Sequence, residues 1–245
     1  MKNILFLILL GYSFIFAGCK TKDITAQQPQ EEKKIFFQYS TIDALLQGLY
    51  DGQMLTKELL EHGDFGLGTF NALDGEMIVL DGVVYQVATD GVARVMPENT
   101  TIPFATITTF KADKNVTTTQ DMNCSQLHDY IDTLLPEKDI PYAIKIDGVF
   151  TYIQTRSVPK QQKPYPPLAD VIEKQKTFDF FQQDGTIVGF KMPTYIGTLN
   201  AQGYHFHFLT HTKQAGGHVL QCRTQNISIE IDYLEKWEIE LLRNK

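Results

Sequence analysis

Short apolar runs broken by polar, glycine-containing pairs make up most of this chain. Residues 41–50 place Leu45, Leu46 and Leu49 at helical spacing behind Ser40 or Thr41 as N-cap. Residues 54–61 read as a second short helix stopped at Gly63. The texture then shifts to strand-like runs at 65–73, 76–80, 83–88 and 92–96. Asp74-Gly75, Asp81-Gly82 and Asp90-Gly91 punctuate them, and such pairs between apolar runs signal hairpins, so the pattern predicts an antiparallel meander. Residues 105–110 and 116–120 continue the β texture, and 125–135 predict a helix.

A second series starts near Tyr142. Residues 142–146 and 149–155 flank Asp147-Gly148, which predicts another hairpin. Pro164-Tyr165-Pro166-Pro167 breaks the chain, and 168–176 predict a helix with proline at its start. Further strands are expected at 178–182, 186–192, 204–210, 218–224 and 227–233, with a last one at 237–242. No repeat of fixed period is present. The fold class expected is α+β: two sheet-rich lobes of mostly antiparallel strands, 35–135 and 136–245, with a few helices. The second lobe carries the candidate metal ligands.

The first residues do not belong to that fold. One lysine, an apolar run at 4–10 and small residues closing it at 17–18 form an export signal, and the run is too short to favour a membrane span. Phe16-Ala17-Gly18-Cys19 resembles the lipobox of bacterial lipoproteins. That resemblance implies cleavage after residue 18, lipidation of Cys19 and a cell-envelope location, held to the membrane by acyl chains. Residues 19–34 then form a polar tether. The chain is 245 residues long with a formal net charge of −7, an acidic balance that argues against a nucleic-acid partner. Three cysteines cannot build a disulfide scaffold. Cys124 and Cys222 can pair in an oxidising compartment, but two free, half-buried thiols are the expectation.

The histidines change the picture most. In Gly203-Tyr204-His205-Phe206-His207-Phe208, residues two apart share a strand face, so His205 and His207 project together and the aromatics face an apolar side. His218 follows Gly216-Gly217, and an antiparallel return brings it beside the pair. Three imidazoles from two neighbouring strands make a metal site with an open position. Spacing alone does not fix the metal, and it also suits a cupin-like metal enzyme. His211 is expected in the turn and exposed, and His62 and His128 on or near helices and exposed.

Longer motifs carry a specific resemblance. GDFGLGTFNALDGEM at 63–77, RSVP at 156–159 with PYPP at 164–167, GTIVGF at 185–190, GYHFHF at 203–208 and GGHVL at 216–220 occur in the order found in α-acetolactate decarboxylases. The likeness runs from about residue 36 to 242. It implies conversion of 2-acetolactate to acetoin and CO₂ with bound zinc, through a metal-stabilised enediolate. It puts His205, His207 and His218 at the zinc ligands, Glu76 at the carboxylate beside the metal, Arg156 at the substrate-binding arginine and Thr69 in the same pocket. It suggests a homodimer. Family members extend further and bring a glutamate from that tail to the metal. This sequence stops at Lys245, and no residue matches that glutamate. The alternatives are a non-catalytic lipoprotein that binds a hydroxy-keto acid, and the cupin-like enzyme.

Overall fold

The computed structural model describes residues 34–242. The export signal, Cys19 and all of the tether but Lys34 lie outside the described residues. In chain order the strands are β1 (Ile35–Tyr39), β2 (Met54–Leu55), β3 (Phe65–Thr69), β4 (Glu76–Leu80), β5 (Val83–Val87), β6 (Ala93–Val95), β7 (Thr101–Ile102) and β8 (Phe104–Thr108). They continue as β9 (Lys114–Thr118), β10 (Met122–Asn123), β11 (Tyr142–Ser157), β12 (Lys176–Met192), β13 (Gly203–Thr210), β14 (Gly216–Tyr233) and β15 (Lys236–Glu240). The helices are α1 (Ile42–Leu46), α2 (Thr56–Leu60), α3 (Cys124–Leu134) and α4 (Leu168–Ile172).

The expected α+β class holds. A seven-stranded sheet runs β15-β1-β8-β3-β4-β5-β6, antiparallel except where β1 meets β15. A six-stranded sheet runs β10-β14-β11-β12-β13, with β9 also on β14, and β13 pairs back onto β14. The sheets draw on the chain out of order. Strands β9 and β10, from the expected first lobe, join the second sheet, and β15 joins the first. The lobes 35–135 and 136–245 therefore exchange strands.

Alternation explains how the sheets pack. Phe36, Phe65, Leu67, Ile78 and Leu80 point from the first sheet onto Ala143, Val188, Phe190 and Leu209 of the second. Phe190 meets Phe36 edge-on at 5.0 Å between ring centroids, an arrangement that adds to the burial of both rings. The opposite residues of the first sheet, Phe37, Met77 and Val79 among them, pack with Leu59 of α2.

The hairpin expected at Asp147-Gly148 and the break expected between strands 178–182 and 186–192 are both absent, and this corrects the expectation. Asp147-Gly148 lies inside β11, a single strand of 16 residues, and Asp184-Gly185 lies inside the 17-residue β12. Gly148 sits opposite both Gly185 and Ile227. A Cβ on Gly148 would lie 2.3 Å from the Asn226 carbonyl oxygen, and one on Gly185 2.4 Å from the Phe208 ring. Glycine here permits close approach and a bulge within a strand. The register of β11 on β14 slips at Gly148/Val149. Likewise the expected strands 218–224 and 227–233 are one strand, β14. The first series is nearer to expectation, but β3 ends at Thr69 and a 3-10 turn, Asn71–Leu73, fills the run expected to reach 73.

Helices α1, α2 and α4 are shorter than expected, whereas α3 has the expected length, one residue earlier. Thr41 caps α1 through its hydroxyl, which accepts from Ala44 N at 3.2 Å. The helix ends at Leu46, and Leu46 and Leu49 are exposed. At α3, Asn123 and Gln126 form a reciprocal capping box. The first residue of α3, Cys124, is bonded to buried Cys222 on β14. The expectation of two free thiols is therefore wrong. The capped start of α3 holds Cys124 beside β14, a proximity that a separation of 98 residues in sequence does not disclose.

A disulfide typically stabilises a fold by about 2–4 kcal/mol, and more for a longer closed loop such as this one. Reductant, or Cys124→Ser with Cys222→Ser, is expected to lower the denaturant midpoint. Unfolding curves that coincide with and without reductant would show that the bond contributes nothing.

Candidate metal centre

The site is set where β14 enters the second sheet. His218 pairs with His207 of β13 on one side and with Arg156 of β11 on the other. That wedge needs glycine. A Cβ on Gly216 would lie 2.1 Å from the Phe208 carbonyl oxygen. Gly217 has φ +133°, and its Cβ would lie 2.5 Å from the Arg156 carbonyl oxygen. Behind the histidines, Phe206 and Phe208 fill the interior of the second sheet, as the alternation predicted.

His205, His207 and His218 converge: one ring nitrogen from each lies within 4.8 Å of the others. His207 Nδ1 donates to the Met77 carbonyl oxygen at 2.7 Å. This fixes the tautomer and leaves Nε2 as the lone-pair nitrogen. Nε2 lies 3.3 Å from His218 Nδ1 and 3.6 Å from Glu76 Oε2. Burial, then the Arg156 charge, pushes His205 down to about 4. Burial first, with the neighbouring imidazoles and Arg156, holds His207 and His218 well below the usual histidine range. All three are neutral at pH 7, the form in which imidazole binds metal.

The first sheet supplies Thr69 and Glu76, and β11 of the second supplies Arg156. Thr69 and Glu76 face each other across β3 and β4. The Thr69 hydroxyl donates to the Gly75 carbonyl oxygen at 2.7 Å and so fixes the entry to β4. Glu76 is buried, which pushes its carboxyl up to about 7, against the opposing pull of Arg156. Arg156 Nη1 donates to Gln175 Oε1 at 3.1 Å. These groups border a cavity of about 200 Å³ whose other wall is apolar, with Leu45, Leu73, Phe104, Val158 and Leu168.

All six expected residues thus meet at one cavity, while Cys19 lies outside the described residues. The other histidines do not join. His211 is exposed in the turn after β13. His62 and His128 are half-buried rather than exposed, each stacked on a ring, Phe37 and Tyr204 respectively. The apolar wall, the Met77 carbonyl and Gln175 were not legible in the sequence, because each is brought in by a distant element.

Three neutral imidazoles with one tautomer fixed from behind, and a carboxyl aimed at the same point, fit a divalent cation with an open position. The model of the Alpha-acetolactate decarboxylase family matches residues 36–245. The chain belongs to the alpha-acetolactate decarboxylase family. It is 45% identical over 207 residues to the alpha-acetolactate decarboxylase of Methanosarcina mazei, covering 84% of this chain and 72% of that one. To the Brevibacillus brevis enzyme it is 39% identical, covering 91% and 78%. The crystal structure of the Bacillus subtilis strain 168 family member superposes with a TM-score of 0.84 at 36% identity, covering 86% of this chain and 90% of that one.

Gly217→Ala tests the wedge. The added methyl must push β14 off β11 and carry His218 with it. Bound metal per chain after dialysis is expected to fall well below that of the unaltered chain, with the disulfide intact. Full metal content in this variant would show that the close approach does not set the ligand geometry.

Proposed function

We propose that the chain is a decarboxylase that converts 2-acetolactate to acetoin and CO₂, with zinc held by His205, His207 and His218. The observation that carries the reading is the convergence of three neutral imidazoles, a buried carboxyl and an arginine on one small cavity of a chain belonging to this family. A divalent cation bound there supplies Lewis acidity to substrate oxygens.

The chain's own residues do the rest. Arg156 holds the carboxylate of the substrate by charge-assisted hydrogen bonds. When the bond to that carboxylate breaks, CO₂ leaves and the electron pair delocalises onto the adjacent ketone oxygen. No organic cofactor is needed, because the substrate contains its own electron sink. The apolar wall keeps water from competing for the carbon left behind. Glu76, its carboxyl pushed up to about 7 by burial, holds a proton within the cavity and delivers it to that carbon. Thr69 lines the same cavity and steadies the turn before Glu76.

The proposal extends to location. The lipobox-like residues 16–19 and the polar tether support export and anchoring through Cys19. The Cys124–Cys222 bond supports an oxidising compartment. Family resemblance alone supports a homodimer.

Acetoin is expected from racemic 2-acetolactate above the spontaneous background. It should be lost on chelation, restored by zinc and absent in His205→Ala. Glu76→Gln should keep its metal and lose roughly 10²–10⁴-fold in kcat. Full zinc occupancy without acetoin would sink the decarboxylase reading and favour a binding role. Separately, the full-length chain expressed in bacteria should incorporate labelled fatty acid, and Cys19→Ser should not. Equal labelling of both would remove the anchor from the proposal.

A further inference from the structure

Among the described residues, three buried side-chain polar atoms lack a hydrogen-bond partner: Thr106 Oγ1, Trp237 Nε1 and Arg156 Nε. Only Arg156 borders the cavity. Its one side-chain hydrogen bond goes from Nη1 to Gln175, and it forms no ion pair among the described residues. That is unusual for a half-buried guanidinium, which a carboxylate would ordinarily neutralise.

Gln175 is itself firmly placed. It follows α4, and its N–H donates to the Ile172 carbonyl oxygen at 3.0 Å. The next two residues, Lys176 and Thr177, begin β12 and pair with Ser157 and Arg156. Leu168 and Val171 seat α4 against Val158, two residues past Arg156. Acceptor and donor are therefore tied to each other through backbone on both sides.

We propose that Gln175 is the positioning residue of Arg156: a neutral acceptor that fixes the guanidinium through Nη1 while leaving its charge and remaining donors to the substrate carboxylate. The inference rests on the decarboxylase reading for its substrate. A glutamate at this position would hold Nη1 equally well but would cancel the charge. The amide is thus chosen for what it does not carry. It fixes orientation, and the incoming anion supplies the neutralisation.

Isosteric replacement separates this role from a structural one. The full-length, metal-loaded chain and its Gln175→Ala and Gln175→Glu variants would be titrated by calorimetry with 2-hydroxyisobutyrate, which has the carboxylate and tertiary hydroxyl but no ketone. The second ligand is acetoin, which has no carboxylate. Turnover of 2-acetolactate, metal content and denaturant midpoint would be measured on the same samples. Gln175→Ala is expected to weaken 2-hydroxyisobutyrate about tenfold and raise KM alike, the scale of one hydrogen bond to a charged group, with kcat within about threefold. Gln175→Glu is expected to weaken it further, about a hundredfold, because an internal ion pair competes with the ligand. Acetoin binding should not change. Wild-type affinity in Gln175→Glu, no effect in Gln175→Ala, or equal losses for acetoin would each overturn the proposal. A wild-type chain that binds the acid without turning over 2-acetolactate would sink the decarboxylase reading and leave the ranking of the variants legible. A wild-type chain that binds neither ligand overturns both.

Discussion

Strand β14 is squeezed between β11 and β13 at residues 216–218, and the geometry of the site depends on that squeeze. His218 pairs in register with a histidine-bearing strand on one side and an arginine-bearing strand on the other. Two glycines make this possible, because no Cβ fits between the backbones there. The second sheet is thereby closed on itself at the histidine end, so the positions of the three candidate ligands are set by strand register instead of by loops. The other sheet reaches the histidines themselves through β4. Consecutive residues of β4 contribute the Glu76 carboxyl and the carbonyl of Met77 that orients His207. A shift of either sheet against the other would move the Glu76 carboxyl and the Met77 carbonyl together relative to His207. The aromatic contacts between the sheets, such as Phe36 on Phe190, therefore contribute to the site as well as to stability.

What the sequence made legible follows the same physics. Period-two alternation in 203–208 gave the side-chain directions of His205 and His207 correctly, because alternation is a local property of any strand. The antiparallel return expected to bring His218 beside the pair is there, and Gly216-Gly217 permits it by close approach. The class and most strands were legible for the same reason. Asp147-Gly148 and Asp184-Gly185 misled, because the same dipeptide serves a tight turn or a bulge between tightly spaced strands. Which one it serves depends on Asn226 and Phe208, residues 78 and 23 positions further on. The Cys124–Cys222 bond was illegible for a related reason: the closeness of α3 and β14 is a product of the fold. Glu76, Arg156 and Thr69 carried no signal of their own in pattern or spacing. They became candidates only through motif resemblance, and the cavity that unites them is built by β3, β4, β11, β13 and β14 and by apolar residues of α1, β8 and α4.

The treatment of charge shows what kind of ligand the cavity suits. Elsewhere the fold saturates its buried charges. Asp232, fully buried on β14, accepts from the Lys34 ammonium and from the Lys111 backbone N–H, and Lys34 also reaches Asp113. Nothing in that cluster is left for a ligand, and its effect is to tie the chain before β1 to β14. At the cavity the opposite holds. Three imidazoles are held neutral, one carboxyl is held up towards its protonated form, and the lone permanent charge, Arg156, is met by an amide. A half-buried cation without a carboxylate partner is costly, so the cavity suits an anion. The same anion, once it has lost CO₂, no longer offers a carboxylate to the guanidinium. On the proposed reading, Arg156 would discriminate between substrate and product by charge alone, favouring binding of the acid and release of the neutral ketone.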